Sequence, residues 1–107
     1  MGLTKSQIFN EQQNQLADIF RVLANPARIA ILQYVGRQQG CICNDLVDEI
    51  GLAQPTISLH LKELKSLGLI RGEVEGKRIC YCINPDKWKE MRQYLDTFFD
   101  DTQNQCC

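Results

Sequence analysis

Histidine occurs once in these 107 residues, tryptophan once and proline three times, and these scarcities exclude several kinds of chemistry. A lone His60 among helix-forming residues cannot build a hydrolase triad. There is no glycine-rich phosphate loop and no Cys-x-x-Cys pair, so nucleotide hydrolysis and thioredoxin-like exchange both lack their residues. The sequence offers no catalytic residue, and no enzyme is expected. No apolar run approaches the roughly 18 residues of a membrane span, and the N-terminus shows no signal-peptide core, so a cytoplasmic protein without a membrane partner is expected. Neither sign of charge dominates, the formal net charge being −1. Charge is nevertheless segregated. Lys62, Lys65, Arg71, Lys77 and Arg78 lie together in the chain, while Asp96, Asp100 and Asp101 lie near its end, so one face can still be basic.

What is present is enough for one domain over residues 1–107, with 1–6 and 100–107 expected as loose tails. Its organising stretch runs from Asp45 to Leu69. Leu46, Val47 and Ile50 have helical spacing, and Gly51 supplies a left-handed residue to end that helix. Gln54 and Pro55 open the next helix, where a missing N–H costs nothing. Ile57, Leu61, Leu64 and Leu67 form its buried stripe, and Gly68 stops it. The opposite face carries Gln54, Thr56, Ser58, Leu59, Lys62 and Lys65. Short hydrogen-bonding side chains in the first turns suit base edges, and lysines further along suit phosphates, as a DNA-recognition helix requires.

Around this helix-turn-helix the other elements follow from periodicity. Ile8, Leu16, Ile19, Phe20 and Leu23 predict a helix over residues 7–23, and Asn25-Pro26 caps a second that carries Ile29, Leu32 and Val35 to Gly36. Cys41-Ile42-Cys43 suggests a short strand, and Asn44 or Asp45 can cap the helix that follows. Residues 69–73 and 77–84 predict a β-hairpin turning at Gly76, with Ile79, Tyr81 and Ile83 on its core face and Arg78, Cys80 and Cys82 on the other. Beyond Pro85, the spacing of Trp88, Met91, Leu95 and Phe98 or Phe99 predicts a last amphipathic helix. The fold class expected is therefore mostly α with a small β-wing, a winged helix-turn-helix.

At this point the sequence resembles the ArsR-type, arsenical-resistance-repressor-like, bacterial transcriptional regulators. The likeness is carried by Leu23-Ala24-Asn25-Pro26-Ala27-Arg28, by the segment from Gln54 to Leu61 ending at Gly68-Leu69-Ile70, and by the wing residues Gly76-Lys77-Arg78 leading to Tyr81. It implies a homodimer joined through its first and last helices, a double-stranded operator with an inverted repeat, and Lys77 and Arg78 at the DNA. Ile8, Leu16, Trp88, Met91 and Leu95 offer apolar stripes for such an interface. Where members commonly carry arginine beside the recognition histidine, this chain has Leu59, which can meet a thymine methyl. His60 reads as a packed helix residue or a phosphate contact.

Six cysteines fall into three close pairs, Cys41 and Cys43, Cys80 and Cys82, Cys106 and Cys107. With a helical core available and no export signal, reduced thiols are expected in place of a disulfide scaffold. In winged-helix folds the strand before the motif pairs with the second wing strand. If Ile42 lies beside Tyr81, then Cys41, Cys43, Cys80 and Cys82 share one outward face, with cross-strand β-carbons about 4.5–5.5 Å apart. Thiolates there would select zinc, copper(I), arsenite or antimonite over hard cations. Arsenic-responsive members often place Cys-x-Cys directly before acid-Leu. Here Asn44 intervenes and the usual third cysteine is absent, so Cys80, Cys82 or the tail pair Cys106-Cys107 would complete a site. The sequence leaves open a thiophilic ion that relieves repression, a redox or persulfide switch, a structural zinc staple, and inert cysteines.

Overall fold

Asn25 and Pro26 illustrate how local sequence sets the elements. The Asn25 carboxamide oxygen accepts from the backbone N–H of Ala27 at 2.9 Å and of Arg28 at 3.4 Å, and the proline ring pre-sets the first helical φ. The computed structural model describes residues 8–38, 40–42, 46–76 and 78–102, with Glu75 and Arg78 described by their backbone alone. Its elements are α1 (Glu11–Leu23), α2 (Pro26–Gly36), α3 (Leu46–Ile50), α4 (Gln54–Ser66), β1 (Ile70–Glu75), β2 (Arg78–Ile83) and α5 (Pro85–Thr102). This is the expected winged helix-turn-helix. Among the described residues no helix is long and apolar enough to cross a membrane.

The first helix starts at Glu11, later than its apolar spacing suggests, because Asn10 and Gln13 form a reciprocal cap. Asn10 Oδ1 accepts the Gln13 N–H at 2.8 Å, and Gln13 Oε1 accepts the Asn10 N–H at 3.0 Å. At the other end of the motif, α4 closes in a Schellman turn. The Leu69 N–H donates to the Leu64 carbonyl and that of Gly68 to the Lys65 carbonyl, with Gly68 at φ +79°. Gly51, at φ +82°, ends α3 as expected.

One apolar core joins the helices to the base of the wing. Ile19, Val22, Ile31, Leu32, Val35, Ile57, Leu61, Leu64, Leu69, Ile70 and Met91 meet there. In α2 the buried stripe is Ile31, Leu32 and Val35, and Ile29 lies exposed. The helix is apolar nearly all round, so spacing alone did not fix which side turns inward. The last helix runs to Thr102, three residues into the segment expected as a tail.

β1 and β2 pair antiparallel in the register Ile70 with Ile83, Arg71 with Cys82, Gly72 with Tyr81, Glu73 with Cys80 and Val74 with Ile79. Ile42 joins as a third rung. Its N–H donates to the Tyr81 carbonyl at 2.9 Å, and its carbonyl accepts from Tyr81 at 2.8 Å, as the sequence reading expected. The faces of β2 are not divided as expected. Ile79 is 49% exposed, whereas Cys80 is 1% exposed. The hairpin touches the body through its base, where Ile70 is buried, and projects into solvent at Val74 and Ile79. Its apolar face therefore runs out of core.

Candidate nucleic-acid interface

Ile57, Leu61 and Leu64 hold α4 against the core, and this fixes what the opposite side presents. Gln54, Thr56, Ser58, Leu59, Lys62 and Lys65 are all exposed, Leu59 to 65%. Gln54 Nε2 donates to Ser58 Oγ at 3.1 Å, one turn apart, so the first turns offer a short pre-set row of donors and acceptors. Lys62 and Lys65 follow on the same side. Lys77 lies outside the described residues, and Arg78 is described by backbone only.

His60 is half-buried and faces α2. Its Nδ1 accepts from Arg28 Nε at 3.2 Å. The same guanidinium donates from Nη1 to the Val22 carbonyl at 3.1 Å, at the C-terminal end of α1, where a cation is favoured. Arg28 thus ties α1, α2 and α4 together, a role that a side chain distant in sequence gives no local sign of. Arg21 of α1 meets Glu63 of α4 at 3.2 Å.

The thiols gather where the Ile42 rung meets the wing. Cys41 and Cys82 are free and half-buried. Their sulfurs and a Glu73 carboxylate oxygen all lie within 4.8 Å of one another. The Arg71 guanidinium hydrogen-bonds the Cys82 sulfur, which raises Arg71 above its ordinary value. The Cys41 thiol is pushed up to about 12 by its hydrogen bond to Cys82, by burial and by the nearby negative charge of Cys82 and Glu73. Cys80 corrects the expectation of four open thiols. It is buried and disulfide-bonded, with its partner outside the described residues. Cys43, Cys106 and Cys107 also lie outside them. Glu73 and Arg71 join the site because β1 pairs in register with β2, and no spacing within one strand could have announced them.

The residues expected to join two copies divide into two groups. Leu16 and Met91 are buried inside the protomer, and Leu95 is packed against its core. Ile8 and Trp88 are exposed, together with Phe9, Phe20 and Phe99. Phe20 of α1 meets Phe98 of α5 edge-on, with ring centroids 6.0 Å apart, and Phe98 touches Phe99 at 5.5 Å. The two helices therefore share an aromatic surface.

A helix-turn-helix domain family matches residues 23–73. An uncharacterised HTH-type transcriptional regulator of Methanocaldococcus jannaschii is 34% identical, over 80% of this chain and 97% of that one. The arsenical resistance operon repressor of Staphylococcus xylosus is 30% identical, over 87% of this chain and 88% of that one. Among solved structures, the homodimeric winged helix-turn-helix DNA-binding domain from Mycobacterium bovis superposes with a TM-score of 0.66 at 25% identity. That match covers 100% of this chain and 96% of the other. With its polar helix turned outward over a shared winged core, the chain belongs to the ArsR-type family of DNA-binding transcriptional regulators.

Proposed function

We propose that the protein is a cytoplasmic, homodimeric repressor. In this reading its two α4 helices enter successive major grooves of an inverted-repeat operator, and a thiophilic metal or metalloid at the wing thiols releases it. The observation that carries the reading is the exposed row Gln54, Thr56, Ser58, Leu59, Lys62 and Lys65 above a fully committed apolar stripe. A helix held this way puts hydrogen-bonding groups at base edges and cations at phosphates. The aromatic surface of α1 and α5 supports pairing through the first and last helices, as does the homodimeric state of the Mycobacterium bovis domain.

For the effector, support comes from the free thiols of Cys41 and Cys82 and from a relative named for arsenical resistance. Arsenite, antimonite and zinc are the ions such a site favours. Drawing the Ile42 segment against β2 shifts the wing against α4, because β1 packs on that helix. A hundredfold loss of operator affinity needs only about 2.8 kcal/mol of coupling. Arsenite, zinc and cadmium titrated into the operator complex test this. Release is expected from the parent and not from a variant with serine at the free thiols Cys41 and Cys82. An equal response from both proteins contradicts it. Thiol oxidation is the second reading, favoured by the disulfide at Cys80, and a peroxide response in metal-free buffer distinguishes it.

A further inference from the structure

Beside the two free thiols stands a carboxylate that the cysteine pattern alone does not explain. Glu73 is exposed on β1, and it shares its face of the hairpin with Arg71, Cys80 and Cys82 because residues two apart on a strand point the same way. Cys41 reaches this face from the Ile42 rung, so three separate stretches of chain each contribute one donor.

Building on the thiophilic-ion reading above, we infer that Glu73 is the third ligand of a Cys41–Cys82–Glu73 site, and that the site takes a thiophilic divalent ion, zinc or cadmium, in preference to arsenite. The donors sit within 4.8 Å of one another, and two ligands on a zinc ion at about 2.3 Å from each sulfur stand roughly 3.8 Å apart. Glu73 is exposed, so its side chain can rotate toward the sulfurs without moving the strands. Zinc and its congeners accept mixed sulfur and oxygen donors, whereas trivalent arsenic is satisfied by thiolates and gains little from a carboxylate. Among the described residues two thiols are free and the third donor beside them is a carboxylate, a set that suits a mixed sulfur and oxygen site. Arg71 stands opposite Cys82 in the register, on the same face as the three donors. The carboxylate also brings β1 into the clamp directly, and β1 is the wing strand that packs on α4.

The test uses the full chain without DNA, under argon and without added reductant so that the Cys80 disulfide is kept. Cadmium is followed by its thiolate charge-transfer absorbance, and phenylarsine oxide, which needs two thiols and no carboxylate, serves as the second probe. Glu73→Gln is expected to keep the cadmium–thiolate band while weakening cadmium by roughly tenfold or more, and to leave the arsenical unchanged. Glu73→Asp, which retains a carboxylate, is expected to recover part of the loss. Cadmium affinity of Glu73→Gln within about twofold of the parent overturns the inference and leaves the thiol reading standing. If Cys41→Ala/Cys82→Ala still binds both probes like the parent, the thiol reading itself falls, and the inference with it.

Discussion

Arg28 Nε donates to His60 Nδ1 across 3.2 Å, linking the first turn of α2 to the middle of α4, and the same guanidinium closes the end of α1 through the Val22 carbonyl. One planar fork therefore sets both the tilt of the recognition helix and the direction of its only imidazole. Arg28→Ala is expected to cost about 1–2 kcal/mol in denaturant unfolding, since charged hydrogen bonds at a half-buried site are lost. Arg28→Lys should recover less than half of that, because an ammonium cannot make both contacts in the fork geometry. Full recovery by lysine would mean that charge alone matters here.

On the outer face of α4 the two ends should behave differently. Lys62→Ala is expected to weaken DNA binding evenly across sequences and to reduce the slope of log affinity against log salt by about one. Thr56→Ala or Ser58→Ala should leave that slope unchanged while reducing discrimination between the operator and altered bases by about 1–3 kcal/mol. Anisotropy titrations at several salt concentrations separate the two patterns.

Gly51 and Gly36 form a matched pair. Gly51 sits at φ +82°, where an added Cβ meets open space but the backbone conformation disfavours any L side chain. Gly51→Ala should cost about 1–2 kcal/mol. Gly36 ends α2 at helical φ, and its added Cβ would lie 3.9 Å from Ile83, an ordinary contact. Gly36→Ala should be neutral or stabilising by up to about 1 kcal/mol. Thermal melts of both variants check the difference in sign.

The aromatic surface of α1 and α5 gives an assembly prediction. Phe20→Glu or Phe99→Glu places a charge on that surface without opening the core, since Phe20 and Phe99 are exposed and neither belongs to the buried cluster. Sedimentation should show monomers that melt with little loss at low concentration, and operator affinity should fall as half-sites bind singly. Dimers that persist in both variants would move the interface elsewhere.

The raised Cys41 thiol gives a reactivity prediction. Because Cys82 and Glu73 keep Cys41 protonated far above neutral pH, iodoacetamide near pH 8 should label Cys41 slowly. Cys82→Ala removes the largest cause of the shift, lowers the Cys41 value and should speed its labelling. Mass spectrometry of time points gives both rates. Slower labelling of Cys41 in the variant would contradict the cause assigned.

The helix-turn-helix was legible because its signals are local. Gly51 and Gly68 mark helix ends, Pro55 opens a helix, and Ile57, Leu61 and Leu64 recur at a period that only one face can satisfy. The Ile42–Tyr81 rung was legible through the winged-helix pattern. What escaped depends on where whole elements end up. Ile29 and Ile31 are equally apolar, and only packing of α2 against its neighbours turns Ile31 inward. Strict alternation put Cys80 on an open face beside Cys82, and parity carries no sign of the disulfide that Cys80 makes. Glu73 and Arg71 became part of the thiol site through cross-strand register, and Arg28 found His60 across 32 positions of sequence.

The most direct measurement is a hydroxyl-radical footprint of the full chain on duplex DNA from upstream of its own gene, made beside the Gln54→Ala/Thr56→Ala/Ser58→Ala variant. Two protected patches about one helical turn apart and symmetric about a centre are predicted for the parent, and none for the variant. An unprotected ladder for the parent, or the same patches for both proteins, would contradict the role given to the outer face of α4.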